Sequence, residues 1–358
     1  MIMPERILEQ YKQHLKRGVR FIASVSMILL TVVSVSIVVG SAEVGFVELY
    51  QLLTGKGTAF SAQIVYQIRL PRIIGGMLAG TALATSGAVV QSLLRNPLAS
   101  PFTLGISGAS AFGAAFAIIV LGAGSTYESS NDASAIDNPY LVTSSAFLWS
   151  ILSVAVIILV SKLRDTLPET IVLAGIAVST LFGAGISAMQ YFADDVQLAS
   201  IVFWTFGDLG RATWEYVMIL GISLVPIMIF FHYQTWNYKS LRAGDEYAKS
   251  LGIKIDWVRL SGMLAASLAT AIVVSFFGVI AFVGLVVPHI VRKMIGGDDP
   301  MTLPASAVFG GMFLVGSDTL ARTVISPVML PVGILTSFIG APLFLFLLLK
   351  NTHKAYWS

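Results

Sequence analysis

Only 11% of this 358-residue chain is charged, so the few charged groups that cluster are the ones whose chemistry needs explaining. Arg69-Leu70-Pro71-Arg72 is one such group, and Arg322 is a further arginine at the end of an apolar run. A proline suits the first turn of a helix, where its missing N–H would be unpaired anyway. Two guanidinium groups would then stand at a helix mouth, and a guanidinium grips a carboxylate through two parallel hydrogen bonds. Such a group could receive an acidic protein surface or an anionic solute. It could equally be an interfacial anchor, with Asp318 pairing Arg322 at four-residue spacing.

A second cluster reads Gly244-Asp245-Glu246-Tyr247-Ala248-Lys249-Ser250-Leu251-Gly252. Asp245 and Glu246 sit where a helix N-terminus favours negative charge, Lys249 follows Asp245 by four residues, and Gly252 is placed to end the helix in a left-handed conformation. An isolated helix needs about 12–15 residues to persist in water. This one is far shorter, so Tyr247, Ala248 and Leu251 are expected to pack on a surface, which makes the segment a docking element.

Two further segments are irregular. In Arg95-Asn96-Pro97-Leu98-Ala99-Ser100-Pro101 the prolines exclude a regular helix, leaving a rigid turn that is either functional or an ordinary loop. Phe282-Val283-Gly284-Leu285-Val286-Val287-Pro288-His289 is similar in kind. His289 reads as a hydrogen-bonded structural histidine, because His14, His232 and His353 are far away in sequence and no metal cluster is implied. Catalytic patterns are missing. Gly55-Lys56-Gly57 lacks the upstream glycine and the following Ser or Thr of a phosphate loop, and no His-Glu-x-x-His occurs. With no cysteine there are no disulfides, thiolate sites or cysteine nucleophiles.

The elements that must position these groups are membrane spans. The chain is 56% hydrophobic with mean hydropathy +0.83, whereas soluble domains carry about 25% charged residues. Crossing a bilayer takes about 20 apolar residues. Windows of that kind fall at 21–40, 71–93, 103–122, 142–161, 170–192, 214–232, 257–277, 280–295, 304–322 and 331–349. The first is too long for a signal-peptide core and reads as an uncleaved span. Ten spans put both termini on one side. With a cytoplasmic N-terminus, 17 of the 22 Lys and Arg fall inside, as the positive-inside rule requires. Arg69, Arg72 and Arg322 are exceptions at outer span ends, with Lys56 and Arg211. The stretch 257–295, interrupted by Gly278, Gly284 and Pro288, could be two crossings or one crossing plus a re-entrant piece. Gly76, Gly80, Ala84 and Ala88 form a small-residue face suited to close helix packing.

The chain resembles the membrane permease subunits of ABC importers for iron-siderophores, haem and cobalamin. The resemblance covers nearly its whole length. It is carried by Gln67-Ile68-Arg69-Leu70-Pro71-Arg72, Gly87-Ala88-Val89-Val90-Gln91, Asn96-Pro97-Leu98-Ala99, Leu173-Ala174-Gly175, Gly244 to Gly252, Phe282 to His289 and Gly340-Ala341-Pro342, in this order. It implies an all-α polytopic membrane protein of about ten transmembrane helices in one bundle, the type II ABC importer permease fold. It implies partners as well: two ATPase subunits, a second permease subunit, identical or paralogous, and an extracytoplasmic substrate-binding protein. By resemblance, Gly244, Asp245, Glu246, Tyr247, Ala248, Lys249, Leu251 and Gly252 couple to the ATPase. Arg69, Arg72 and Arg322 face the binding protein, Asn96 and Leu98 lie at the cytoplasmic gate, and Gly183, Gly185 and Ser187 line the path.

The expectation is therefore a permease in the bacterial cytoplasmic membrane, contacting lipid and no nucleic acid, that imports a metal chelate, with ferric siderophore the first choice. It would perform no catalysis and bind no cofactor or metal of its own, with ATP and Mg on the partner ATPase. A cytoplasmic segment 1–20, a permease domain 21–350 containing a coupling loop 234–256, and a cytoplasmic tail 351–358 make up the chain. An ion-gradient-driven secondary transporter is the alternative. It usually shows ionisable residues in mid-membrane, and these spans have almost none. A channel or scaffold would have no use for the docking helix. The acidic external loop from Gly122 to Tyr140 is longer than the family resemblance leads one to expect.

Overall fold

The computed structural model describes residues 5–40, 45–123, 138–163, 167–295, 300–326 and 328–350. The 351–358 tail and most of the acidic external loop lie outside them. Within them every regular element is helical: α1 Glu5–Val38, α2 Phe46–Leu53, α3 Ala59–Gln63, α4 Leu70–Leu93, α5 Ile106–Ile119, α6 Pro139–Leu163, α7 Pro168–Phe192, α8 Asp195–Thr205, α9 Trp214–Tyr233, α10 Thr235–Ala243, α11 Asp245–Ser250, α12 Ile255–Phe277, α13 Val283–Ile295, α14 Thr302–Thr323 and α15 Val332–Lys350. Each of the ten expected windows corresponds to one of these helices. The polar start is part of the first: α1 begins at Glu5 rather than at residue 21, and its 34 residues outrun a bilayer.

Among the described residues seven helices are long and apolar enough to cross a membrane by themselves; α15 falls just short, and α5 and α13 are each preceded by a gap in the helix. Both gaps have a sequence cause. Ahead of α5 the Pro101–Leu104 turn and Gly105 at φ +73° break the helix. Ahead of α13, Gly278 at φ +75° ends α12 and the chain runs non-helically to Phe282 at φ +67°. Bare backbone at membrane depth must be buried in protein. Accordingly, Gly278 and Ile280 are buried, the Asp208 N–H donates to the Phe277 carbonyl at 2.8 Å, and the Gly333 N–H donates to the Gly207 carbonyl at 3.1 Å.

The stretch 257–295 makes two passes. α12 begins beside α11 and ends beside Asp208. α13 returns, because Arg292 near its end meets Gln91 and the Ala88 carbonyl close to the end of α4, which Arg259 at the start of α12 also reaches. Thirteen helical residues rise about 20 Å, and the five non-helical ones can add up to about 17 Å. That is enough for one bilayer core.

α4 is the central post, buried along most of its length against α9, α12, α13 and α14. Its small residues permit the approach. A Cβ on Gly80 would lie 2.2 Å from the Gly310 carbonyl oxygen of α14, and one on Gly87 would lie 1.7 Å from that of Gly284 in α13. The face carrying α10, α11 and the end of α13 is the basic face; the face carrying α8 and the ends of α1 and α14 is the far face.

Candidate functional site

At the far face Arg69, Arg72 and Arg322 come together, but not as exposed groups. Their exposures are 3%, 6% and 5%. Arg72 donates through Nε and Nη2 to Asp318 at 2.8–3.0 Å, and its Nη2 also reaches Asp208 at 3.3 Å. Arg322 donates from Nε to Asp318 at 3.1 Å and from Nη2 to the Ser36 hydroxyl at 2.7 Å. Arg69 Nη1 donates to the Ile37 and Val38 carbonyls at 2.5 and 2.8 Å, and Arg322 Nη1 to Val39 at 3.3 Å. The last carbonyls of a helix have no intrahelical partner and carry the negative end of its dipole. Two arginines from other helices thus cap α1. The expectation of guanidinium groups displayed at the mouth is corrected: they are consumed in tying α1, α4 and α14 together, which also explains why they break the positive-inside pattern. The i,i+4 pairing of Asp318 with Arg322 is present as expected.

Nearby, Arg211 donates to the Phe203 carbonyl at 3.2 Å and lies over the Trp204 ring. Burial pushes its guanidinium below its ordinary value.

At the basic face α10 and α11 pack together across Gly244, whose φ of +129° suits glycine. α11 ends in a full Schellman motif: Gly252 takes φ +76°, its N–H donates to Lys249, and the Ile253 N–H donates to Ala248. The stop signal at Gly252 is therefore correctly placed. Ala248 is buried, as expected, but Tyr247 and Leu251 are 53% and 56% exposed and point away from the chain. Glu246 and Lys249 are exposed beside them. In α10, Tyr238 and Leu241 are buried, and burial pushes the Tyr238 phenol well above its ordinary value.

Asp245 does not turn to Lys249. It accepts from Nη2 of Arg259, at the start of α12, at 3.0 and 3.3 Å, and lies 3.7 Å from Nη2 of Arg95. Arg259 is buried, and its Nε donates to the Leu93 carbonyl at the end of α4 at 3.4 Å. Neither Arg95 nor Arg259 was marked by spacing, since one lies 150 residues from Asp245 and the other 14. The turn after α4 is tied internally. The Asn96 side-chain oxygen accepts the Leu98 N–H at 2.9 Å and the Asn96 carbonyl accepts the Ala99 N–H at 3.1 Å, while Leu98 stays exposed. Gln91 just above it meets Arg292 of α13 and donates to the Leu285 carbonyl at 3.2 Å.

On α7 the three expected path residues divide. Gly183 and Ser187, one turn apart, share an exposed face, with the Ser187 hydroxyl donating to the Gly183 carbonyl at 3.1 Å. Gly185 is turned away and sits against the Phe112 ring of α5. A two-residue step on a helix rotates by about 200°, so it cannot share their face. Among the described residues no group of His, Cys, Asp and Glu is arranged to hold a metal ion.

Residues 28–350 match the FecCD transport family. An ABC transporter permease protein of Methanocaldococcus jannaschii is 49% identical over 96% of this chain and 98% of its own. The hemin transport system permease protein of Yersinia pestis is 34% identical over 91% of this chain and 95% of its own. Among solved structures, a metal-chelate type ABC transporter in an inward-facing conformation superposes with a TM-score of 0.79 at 28% identity, covering 92% of this chain and 99% of that one.

Proposed function

The chain belongs to the FecCD transport family, as a multi-pass, non-catalytic permease subunit of an ABC importer for metal chelates, and from that premise we propose how its parts divide the work. Two ATPase subunits dock from the cytoplasm on the basic face of the permease pair, with α11 of this chain in a groove of one of them. A second permease copy or paralogue completes the translocation path, to which Gly183 and Ser187 of α7 contribute. An extracytoplasmic binding protein delivers the cargo to the far face, whose floor is fixed by the buried Arg69, Arg72 and Arg322 cluster. The cargo is a ferric siderophore, an iron chelate as is the hemin for which one relative's permease is named. Both termini are cytoplasmic, and access alternates with ATP binding and hydrolysis on the partner.

The observation that carries the ATPase assignment is α11 itself. Two turns of helix are braced from within by Ala248, the Schellman closure and Asp245, yet Tyr247 and Leu251 are left in water. An exposed tyrosine on a rigid scaffold is a typical anchor for a partner's pocket, and Leu251 adds apolar surface beside it. Co-purification tests the reading. Replacing Tyr247 and Leu251 together with alanine is expected to abolish retention of the ATPase while leaving the permease melting temperature unchanged. Full retention of the ATPase by that variant would overturn the assignment.

A further inference from the structure

α4 ends in the same Schellman geometry as α11, with the Arg95 N–H donating to Ser92 and the Asn96 N–H to Gln91. In α11 the residue at the left-handed position is Gly252, the usual choice. In α4 it is Arg95, at φ +47°. A side chain with a Cβ is disfavoured in that conformation, so an arginine there calls for a use.

The use is on the other side of the gap. Arg95 Nη2 lies 3.7 Å from Oδ2 of Asp245, the first residue of α11. The same carboxylate is held by Arg259, which also donates to the Leu93 carbonyl two residues before Arg95. One carboxylate therefore binds α11 to the end of α4 by two routes, one through a buried guanidinium and one directly to the Arg95–Ser100 turn. The Arg95 and Asp245 side chains are 40% and 30% exposed, so this second link bridges the open gap between α11 and the turn, whereas the Arg259 link is buried against the end of α4.

We propose that Asp245 is a positioning residue that, through Arg95, passes the displacement of α11 to the turn bearing Asn96 and Leu98. This rests on the reading that α11 docks the ATPase. Leu98 is exposed at the tip of that turn and is fastened to Asn96, so a pull on Arg95 moves it as a unit.

The chain has no cysteine, so Leu98→Cys supplies a single thiol. The rate of its reaction with a maleimide is measured in the detergent-solubilised complex with ATPase, with and without trapped ATP. In that background the two rates should differ by about fivefold or more, in the range of ordinary coupling between sites. Arg95→Asn keeps a residue that tolerates the left-handed conformation but removes the charge. It should retain the ATPase and lose the difference, while Arg95→Lys keeps it. A full ATP response in Arg95→Asn, or its loss in Arg95→Lys as well, overturns the inference. Full retention of the ATPase by the Tyr247→Ala, Leu251→Ala chain contradicts the docking reading instead, so the two failures are distinguishable.

Discussion

Arg72 and Asp318 lie 2.8 Å apart, both nearly excluded from solvent, on helices separated by 246 positions in sequence. A carboxylate shared between Arg72 and Arg322 is what permits two arginines at the buried ends of α4 and α14. Burying charge is costly unless it is paired, and removing one partner strands the other. Asp318→Ala should therefore destabilise the permease by about 3–5 kcal/mol, seen as a large fall in melting temperature in detergent. Asp208→Ala, whose side chain is 39% exposed, should have a small effect by comparison.

Close backbone contact gives a second prediction. At Gly87 a methyl group would strike the Gly284 carbonyl, and backbone cannot yield as a flexible side chain does. Gly87→Ala should cost about 1–3 kcal/mol or more, with loss of monodisperse protein on size exclusion. Gly221→Ala, inside α9 where nothing lies within 4 Å, should not destabilise.

The left-handed Gly252 offers a third. Gly252→Ala places a side chain at φ +76° and should cost about 1–2 kcal/mol. The cost is confined to the closure of α11, so amide exchange of residues 245–253 should quicken several-fold while that of α4 is unchanged.

Much of this was legible in the sequence. Apolar windows located the spans, because a bilayer imposes a length on each. Gly252 announced the end of α11, because its conformation excludes most other residues. What escaped has a common cause. The burial of Arg69, Arg72 and Arg322 depends on α1 and Asp318, far along the chain, and the pairing of Asp245 with Arg95 and Arg259 overrides its local neighbour Lys249. Local spacing records neither. Gly185 differs, since counting along the helix does separate it from Gly183, and α8 has 11 residues, too few to register as a span.

ATP-dependent accumulation in proteoliposomes tests the central claim most directly. The permease is reconstituted with its ATPase and binding protein and offered, separately, a labelled ferric siderophore, hemin and cobalamin. At least one chelate should accumulate only when ATP is supplied, should do so undiminished in the presence of a protonophore, and should fail to do so with the Tyr247→Ala, Leu251→Ala chain. Uptake that proceeds without ATP and collapses with the protonophore would contradict the account.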